Sequence, residues 1–130
     1  SDLMMSTAQL LELAGLSGMD IGGHTVNHPI LAKCDEEEAR REIRAGKEAL
    51  ERVLKRPVTL FAYPNGRPGK DYLPEHVAMA RELGFSAAVS TAWGSAHAGS
   101  DPYQLPRFTP WDRGEFRFGL RLAKNLRSPV

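Results

Sequence analysis

Stretches with helical periodicity alternate with short apolar stretches of extended character along this chain, and that alternation limits the fold more than any other feature. Ser6 with Gln9 makes a capping-box pattern, Leu10, Leu11 and Ala14 follow at helical spacing, and Gly15 supplies a stop. Met19 to Gly23 predicts a short buried strand running into a tight loop. Asp35 with Glu38 opens a long amphipathic helix whose apolar stripe is Ala39, Ile43, Leu50, Val53 and Leu54, and Arg56-Pro57 closes it. Val58 to Ala62 predicts a second buried strand, and Pro64-Asn65-Gly66 a sharp turn. A helix from Pro74 to Leu83 ends at Gly84, and Phe85 to Ser90 is the next strand. Gln104 to Phe108 predicts one more short strand, and Gly114 to Leu126 a last helix. Helix and strand in this order require right-handed crossovers, which predicts an α/β fold of mostly parallel strands with flanking helices.

The bulk properties narrow the partners. Lys and Arg number 17 against 16 Asp and Glu, so the net charge of +1 gives no general pull toward nucleic acid or an anionic membrane. A single cysteine, Cys34, cannot form an internal disulfide and leaves the redox compartment open. No apolar run approaches the roughly eighteen residues that a membrane-spanning helix needs. The opening Ser1 to Met5 has no basic stretch followed by an apolar one, so it does not resemble a secretory signal. It leads almost directly into a helix, as though cut from something longer.

Three features fall where strands end, the edge at which parallel α/β folds place their ligand sites. In Gly22-Gly23-His24-Thr25-Val26-Asn27-His28-Pro29, one helical turn would put both imidazoles on a common face, and imidazole is a frequent ligand for zinc-like metals. Two histidines in a polar loop also serve to cap or hydrogen-bond the backbone. In Phe61-Ala62-Tyr63-Pro64-Asn65-Gly66 a backbone N–H can point into the cleft toward an oxyanion, or the segment is an ordinary turn. In Leu105-Pro106-Arg107-Phe108 a lone arginine after a proline is usually a surface ion-pair partner.

In this order and spacing the three segments resemble the polysaccharide deacetylase family, carbohydrate esterase family 4. The likeness is most specific from Asp20-Ile21-Gly22-Gly23-His24 through His28-Pro29-Ile30-Leu31. The resemblance implies an incomplete distorted (β/α) barrel, with residues 1–130 forming one partial domain. It implies that His24 and His28 bind a catalytic divalent metal, zinc first, with nickel, cobalt or iron as alternatives. It implies that the backbone N–H of Asn65 helps hold an oxyanion, and that Tyr63, Pro64 and Arg107 line a carbohydrate-binding cleft. Trp93 and Trp111 lie in or near strand-end loops, where their flat faces suit stacking on a sugar ring or packing at the rim. The implied activity is metal-dependent removal of N-acetyl groups from a polysaccharide amino sugar, in the cytoplasm or at the cell envelope. A non-catalytic glycan- or partner-binding relative, or an amidase acting on a small molecule, are the alternatives.

The departures from the family pattern are specific. Complete members carry an early Asp-Asp motif that supplies the general base and an anionic metal ligand, and no Asp-Asp occurs in this chain. Ala62 stands where many members have an arginine, and no Leu-x-His follows near the C-terminus. The chain alone is therefore expected to be inactive, and a partner or a second copy exchanged across cut sheet edges would complete the barrel. Smaller expectations concern single residues. His76 should be solvated, His97 is a minor catalytic candidate, and Asp71 and Asp101 are candidates for supporting the cleft. Cys34 should be inert unless the following helix N-terminus lowers its pKa. Arg113, Arg117, Arg121, Lys124 and Arg127 should form a solvated basic helix face, with anionic lipid as a minor partner.

Overall fold

The computed structural model describes residues 4–109 and 111–129, so the opening Ser1 to Leu3 lies outside it. Helix α1 (Thr7–Ala14) starts as its sequence dictates: the Ser6 hydroxyl accepts from Gln9 N and the Gln9 side chain accepts from Ser6 N. It ends after Ala14, although Gly15 keeps a right-handed conformation (φ −85°) and the left-handed residue is Gly18. Helix α2 (Glu36–Leu54) is capped by the Asp35 carboxylate on Glu38 N at 2.8 Å, and Glu36 to Glu38 complement its dipole. Left-handed Lys55 (φ 56°) stops it just before Pro57.

Strands β1 (Leu60–Ala62) and β2 (Ala87–Val89) pair in parallel, with Phe61 opposite Ala88. Helix α3 (Pro74–Glu82) makes the crossover between them, with proline in its first turn and left-handed Gly84 (φ 82°) after its end. The two outer segments are shorter than their sequences predict. Met19 to Gly23 contributes a single parallel rung, Gly23 to Phe61, and Gln104 to Phe108 a single rung, Leu105 to Val89. Gly22 and Gly23 have no side chains to hold a ladder, and Pro106 has no N–H to donate. The spatial order is therefore Gly23, β1, β2, Leu105, with all pairings parallel. Helix α4 (Glu115–Leu126) follows a loop and begins at Gly114. None of the described helices is long and apolar enough to cross a membrane.

The core gathers between the sheet and helices α2 and α3, around Ile43, Phe61, Tyr63, Tyr72, Met79 and Phe85. Tyr63 stacks on Tyr72 with centroids 3.8 Å apart and meets Phe61 edge-on at 5.1 Å. The buried face of α2 comprises Ala39, Glu42, Ile43 and Gly46, with Leu50 and Leu54 at its margin. A carboxylate and a glycine therefore interrupt the expected apolar stripe.

The glycine has a steric reason. A Cβ at Gly46 would lie 2.8 Å from the carbonyl carbon and oxygen of Thr25, closer than side chains approach backbone. Replacing glycine by alanine in a helix interior ordinarily stabilises by about 0.5–1 kcal/mol. Here the clash wins, and Gly46→Ala should destabilise by about 1–3 kcal/mol, the usual cost of overpacking. Urea unfolding monitored by circular dichroism checks the sign; a more stable variant would mean that the loop yields freely.

Candidate functional site

The loop after the Gly23 rung carries both histidines to the C-terminal end of β1. His24 Nδ1 lies 2.7 Å from the carbonyl oxygen of Ala62. A carbonyl can only accept, so Nδ1 carries the proton and the neutral ring keeps its lone pair on Nε2. The His28 ring lies edge-on to it, with centroids 4.7 Å apart at 71°. Both side chains are exposed.

The expected helical turn is not what brings them together. Thr25 (φ 65°) and His28 (φ 55°) adopt left-handed conformations, so the backbone folds back within five residues. Such a conformation is unusual for a β-branched threonine and persists only where the surroundings enforce it. The enforcing group is Glu42 on α2, 9% exposed, which the sequence pattern did not single out. Its carboxylate accepts from Val26 N at 3.0 Å, Asn27 N at 2.9 Å and Asn27 Nδ2 at 2.7 Å. His28 N adds a bond to Thr25 Oγ1 at 3.1 Å. Burial works against the charge on Glu42, but the Asn27 and Val26 bonds, helped by Arg41, outweigh it and hold the carboxyl below its ordinary range. The available signal was position: Glu42 shares a helix face with Ala39 and Gly46. Among the described residues, no cluster of three or more His, Cys, Asp or Glu side chains could hold a metal, so the two imidazoles stand without a third such ligand.

The turn after β1 is also well defined. Asn65 (φ 57°) and Gly66 (φ 77°) are both left-handed, and Thr91 pins them from the loop after β2. Thr91 N donates to Gly66 O at 2.7 Å and Thr91 Oγ1 to Asn65 O at 2.9 Å. Asn65 N–H donates to no group among the described residues. Beside His24 a cavity of about 300 Å3 is lined by residues of both strands, including Leu60, Ala62, Ala87 and Val89, and by Leu105.

Other expected site residues fall elsewhere. The rings of Tyr63 and Pro64 are buried, and the Tyr63 hydroxyl donates to Tyr103 O at 2.9 Å, so neither side chain lines the cleft. Alternation along β1 explains this: Tyr63 points to the same face as the core residue Phe61. Arg107 is exposed and has no ion-pair partner among the described residues. Trp93 is 44% exposed with its ring edge near Phe108. His76 is buried rather than solvated; its Nδ1 accepts from Leu73 N at 2.9 Å and burial lowers its pKa. His97 accepts from Gly99 N within its own loop. Asp71 braces the turn at Arg67, and Asp101 holds Tyr103 N and Gln104. Burial, reinforced by Glu38, Glu42 and Asp35, pushes the Cys34 thiol up, which reverses the lowering a helix N-terminus would give.

Comparison with known proteins follows this geometry. The polysaccharide deacetylase family model matches residues 3–88. Among solved structures, the Streptococcus pyogenes deacetylase PplD in complex with acetate is 29% identical with a TM-score of 0.72, covering 79% of this chain and 43% of its own. BC0361, a polysaccharide deacetylase from Bacillus cereus, is 20% identical with a TM-score of 0.64, covering 79% of this chain and 31% of its own. BA0330 from Bacillus anthracis is 23% identical with a TM-score of 0.67 and the same two coverages, 79% and 31%. This chain thus spans less than half the length of each, and its fold is part of the distorted barrel that they share. No curated protein matches it.

The Glu42 clamp makes a pH-dependent contribution of known sign. Its folded pKa lies below the ordinary value of 4.5, so the stabilisation is complete above that value and fades as pH falls through the lower folded one. Glu42→Gln should cost about 1–3 kcal/mol at neutral pH, the penalty for disturbing buried hydrogen bonds to a charged acceptor. In parallel urea titrations the gap from wild type should narrow below about pH 4.5. A gap that stays constant into acid would mean that the carboxylate charge is irrelevant.

Proposed function

Because the chain belongs to the polysaccharide deacetylase family, we propose that it is part of a metal-dependent hydrolase that removes N-acetyl groups from an amino sugar of a polysaccharide. The observation that carries this reading is the meeting of His24 and His28 beside the end of β1, with the His24 proton committed to Ala62 O. A carbonyl on the far nitrogen fixes the tautomer and ring orientation, the usual arrangement behind a metal-bound imidazole. The chemistry of the donor set fits a borderline cation, zinc first, and nickel, cobalt or iron equally by ligand type. Such a cation, when bound, would polarise an amide carbonyl and lower the pKa of a water molecule.

The chain's own groups supply the rest of a partial cleft. Asn65 N–H, which donates to no group among the described residues and sits in the turn that Thr91 pins, would donate to the oxyanion of a tetrahedral intermediate. The apolar cavity beside His24 suits an acetyl methyl, while Arg107 and Trp93, outside that cavity, offer a cation and a flat ring for sugar hydroxyls and faces. Residues 1–130 act as one partial domain. The general base and an anionic ligand are not among its motifs, so catalysis needs the remainder of the fold, and the isolated chain is inactive.

Isothermal titration of the chain with zinc should give weak binding. His24→Ala and His28→Ala should each weaken it by at least about tenfold, since loss of even an outer partner costs that much. Acetate release from chitin oligosaccharides should be absent for the chain alone. Unchanged zinc affinity in both variants would overturn the ligand assignment.

A further inference from the structure

The loop after β2 and helix α4 form a surface of which the reading above uses Trp93 alone. One open depression of about 670 Å3 is lined by Trp93, Asp112, Arg117, Leu120, Arg121 and Lys124. A second, of about 510 Å3, is lined by Trp111, Arg113, Gly114 and again Asp112 and Arg117. The two depressions meet at Asp112 and Arg117, which line both, and this groove has one exposed indole in each part, Trp93 in the first and Trp111 in the second. Trp93 is backed by Phe108, which in turn contacts Phe118. The Trp93 loop is latched to α4 by buried Asn125, whose Oδ1 accepts from Gly94 N at 3.0 Å and whose Nδ2 donates to Gly94 O at 2.8 Å. Ser95 N adds a bond to Ser128 O at 3.0 Å.

The charges in the groove are unequal. Asp112 is neutralised by Arg121, whose Nε lies 2.6 Å from Oδ2. Arg117 and Lys124 are exposed and have no ion-pair partner among the described residues. They lie about two helical turns, roughly 10 Å, apart along α4. Arg113 is likewise exposed and without an ion-pair partner among the described residues, and uncommitted cations beside exposed indoles are the chemistry that recognises a ligand with flat, partly apolar rings and spaced anionic groups. The groove also adjoins the cleft: Trp93 follows two residues after Thr91, which pins the Asn65 turn. A concave surface of this size suits a chain of rings better than a flat bilayer.

We propose that this groove is a subsite for an anionic glycan, a saccharide chain bearing carboxylate or phosphate groups, with Arg117 and Lys124 reading the charge and the tryptophans the rings. The class of ligand rests on the deacetylase reading above. The test is fluorescence and NMR titration of the 130-residue chain, with a chelator present so that the metal site does not contribute. The probes are a hyaluronan hexasaccharide, which carries carboxylates, and neutral chitohexaose. The hyaluronan oligomer should bind at least about tenfold more tightly at low salt, a preference that salt erodes. Arg117→Gln combined with Lys124→Gln, both exposed, should remove most of the preference and leave chitohexaose binding in place. Trp111→Ala should weaken both ligands. Equal affinity for the two oligosaccharides, absence of binding by either, or a preference that the double variant leaves intact would overturn the proposal. So would tighter binding of an oligothymidine of matched charge, which would assign the surface to nucleic acid. Failure here with intact His24-dependent zinc binding removes only the groove, whereas loss of that dependence with a retained anionic preference removes only the metal reading.

Discussion

The arrangement at the strand ends depends on one buried carboxylate. Glu42 reaches from α2 into a loop that the backbone alone would not adopt and satisfies three N–H donors there. Two left-handed non-glycine residues in that loop, Thr25 and His28, cost about 1–3 kcal/mol each. Hydrogen bonds to a charged acceptor return about 1.5–3 kcal/mol each, so the clamp is of the size needed to offset that strain. Gly46, one turn along the same face, removes the Cβ that would hold the loop away. The helix thus acts as a template: its rigidity is transferred to two imidazoles that make no direct bond to it.

How much of this was legible follows from the range of each interaction. Caps are local, so Ser6, Asp35, Arg56-Pro57 and Gly84 bounded the helices within a residue or two. Strand length is not local. Met19 to Gly23 and Gln104 to Phe108 have apolar residues enough for strands, but pairing needs donors and side chains that glycine and proline do not provide. The histidine pair was visible as a pattern, while the cause of its convergence was not. Glu42 looked like one more charge on a charged helix until the loop closed over it. Tyr63 shows the reverse: alternation from core Phe61 already placed its ring inward, and reading the segment as a motif obscured that.

The same logic separates the two faces of β1. One face carries Phe61 and Tyr63 into the aromatic core, where burial holds the Tyr63 phenol above its ordinary range and its hydroxyl is spent on Tyr103 O. On the main chain, Ala62 O accepts a hydrogen bond from His24 Nδ1, and Leu60 remains 39% exposed beside the apolar cavity. A parallel strand is ordinarily covered on both faces. Here an apolar surface stays open next to the candidate ligands, in a chain that covers 43% or less of the structures it resembles.

Parallel topology then links the cleft to the groove. Successive crossovers return the chain to the same edge of the sheet, so the loops after β1 and β2 must be neighbours. Thr91 uses that proximity to fix the Asn65 turn, and the next few residues carry Trp93 to α4, where Asn125 holds the loop by a pair of bonds. Buried amide-to-backbone pairs of this kind resist sliding because parting them strands two polar groups at once. The α4 surface and the Asn65 turn thus share a loop but not their anchoring contacts.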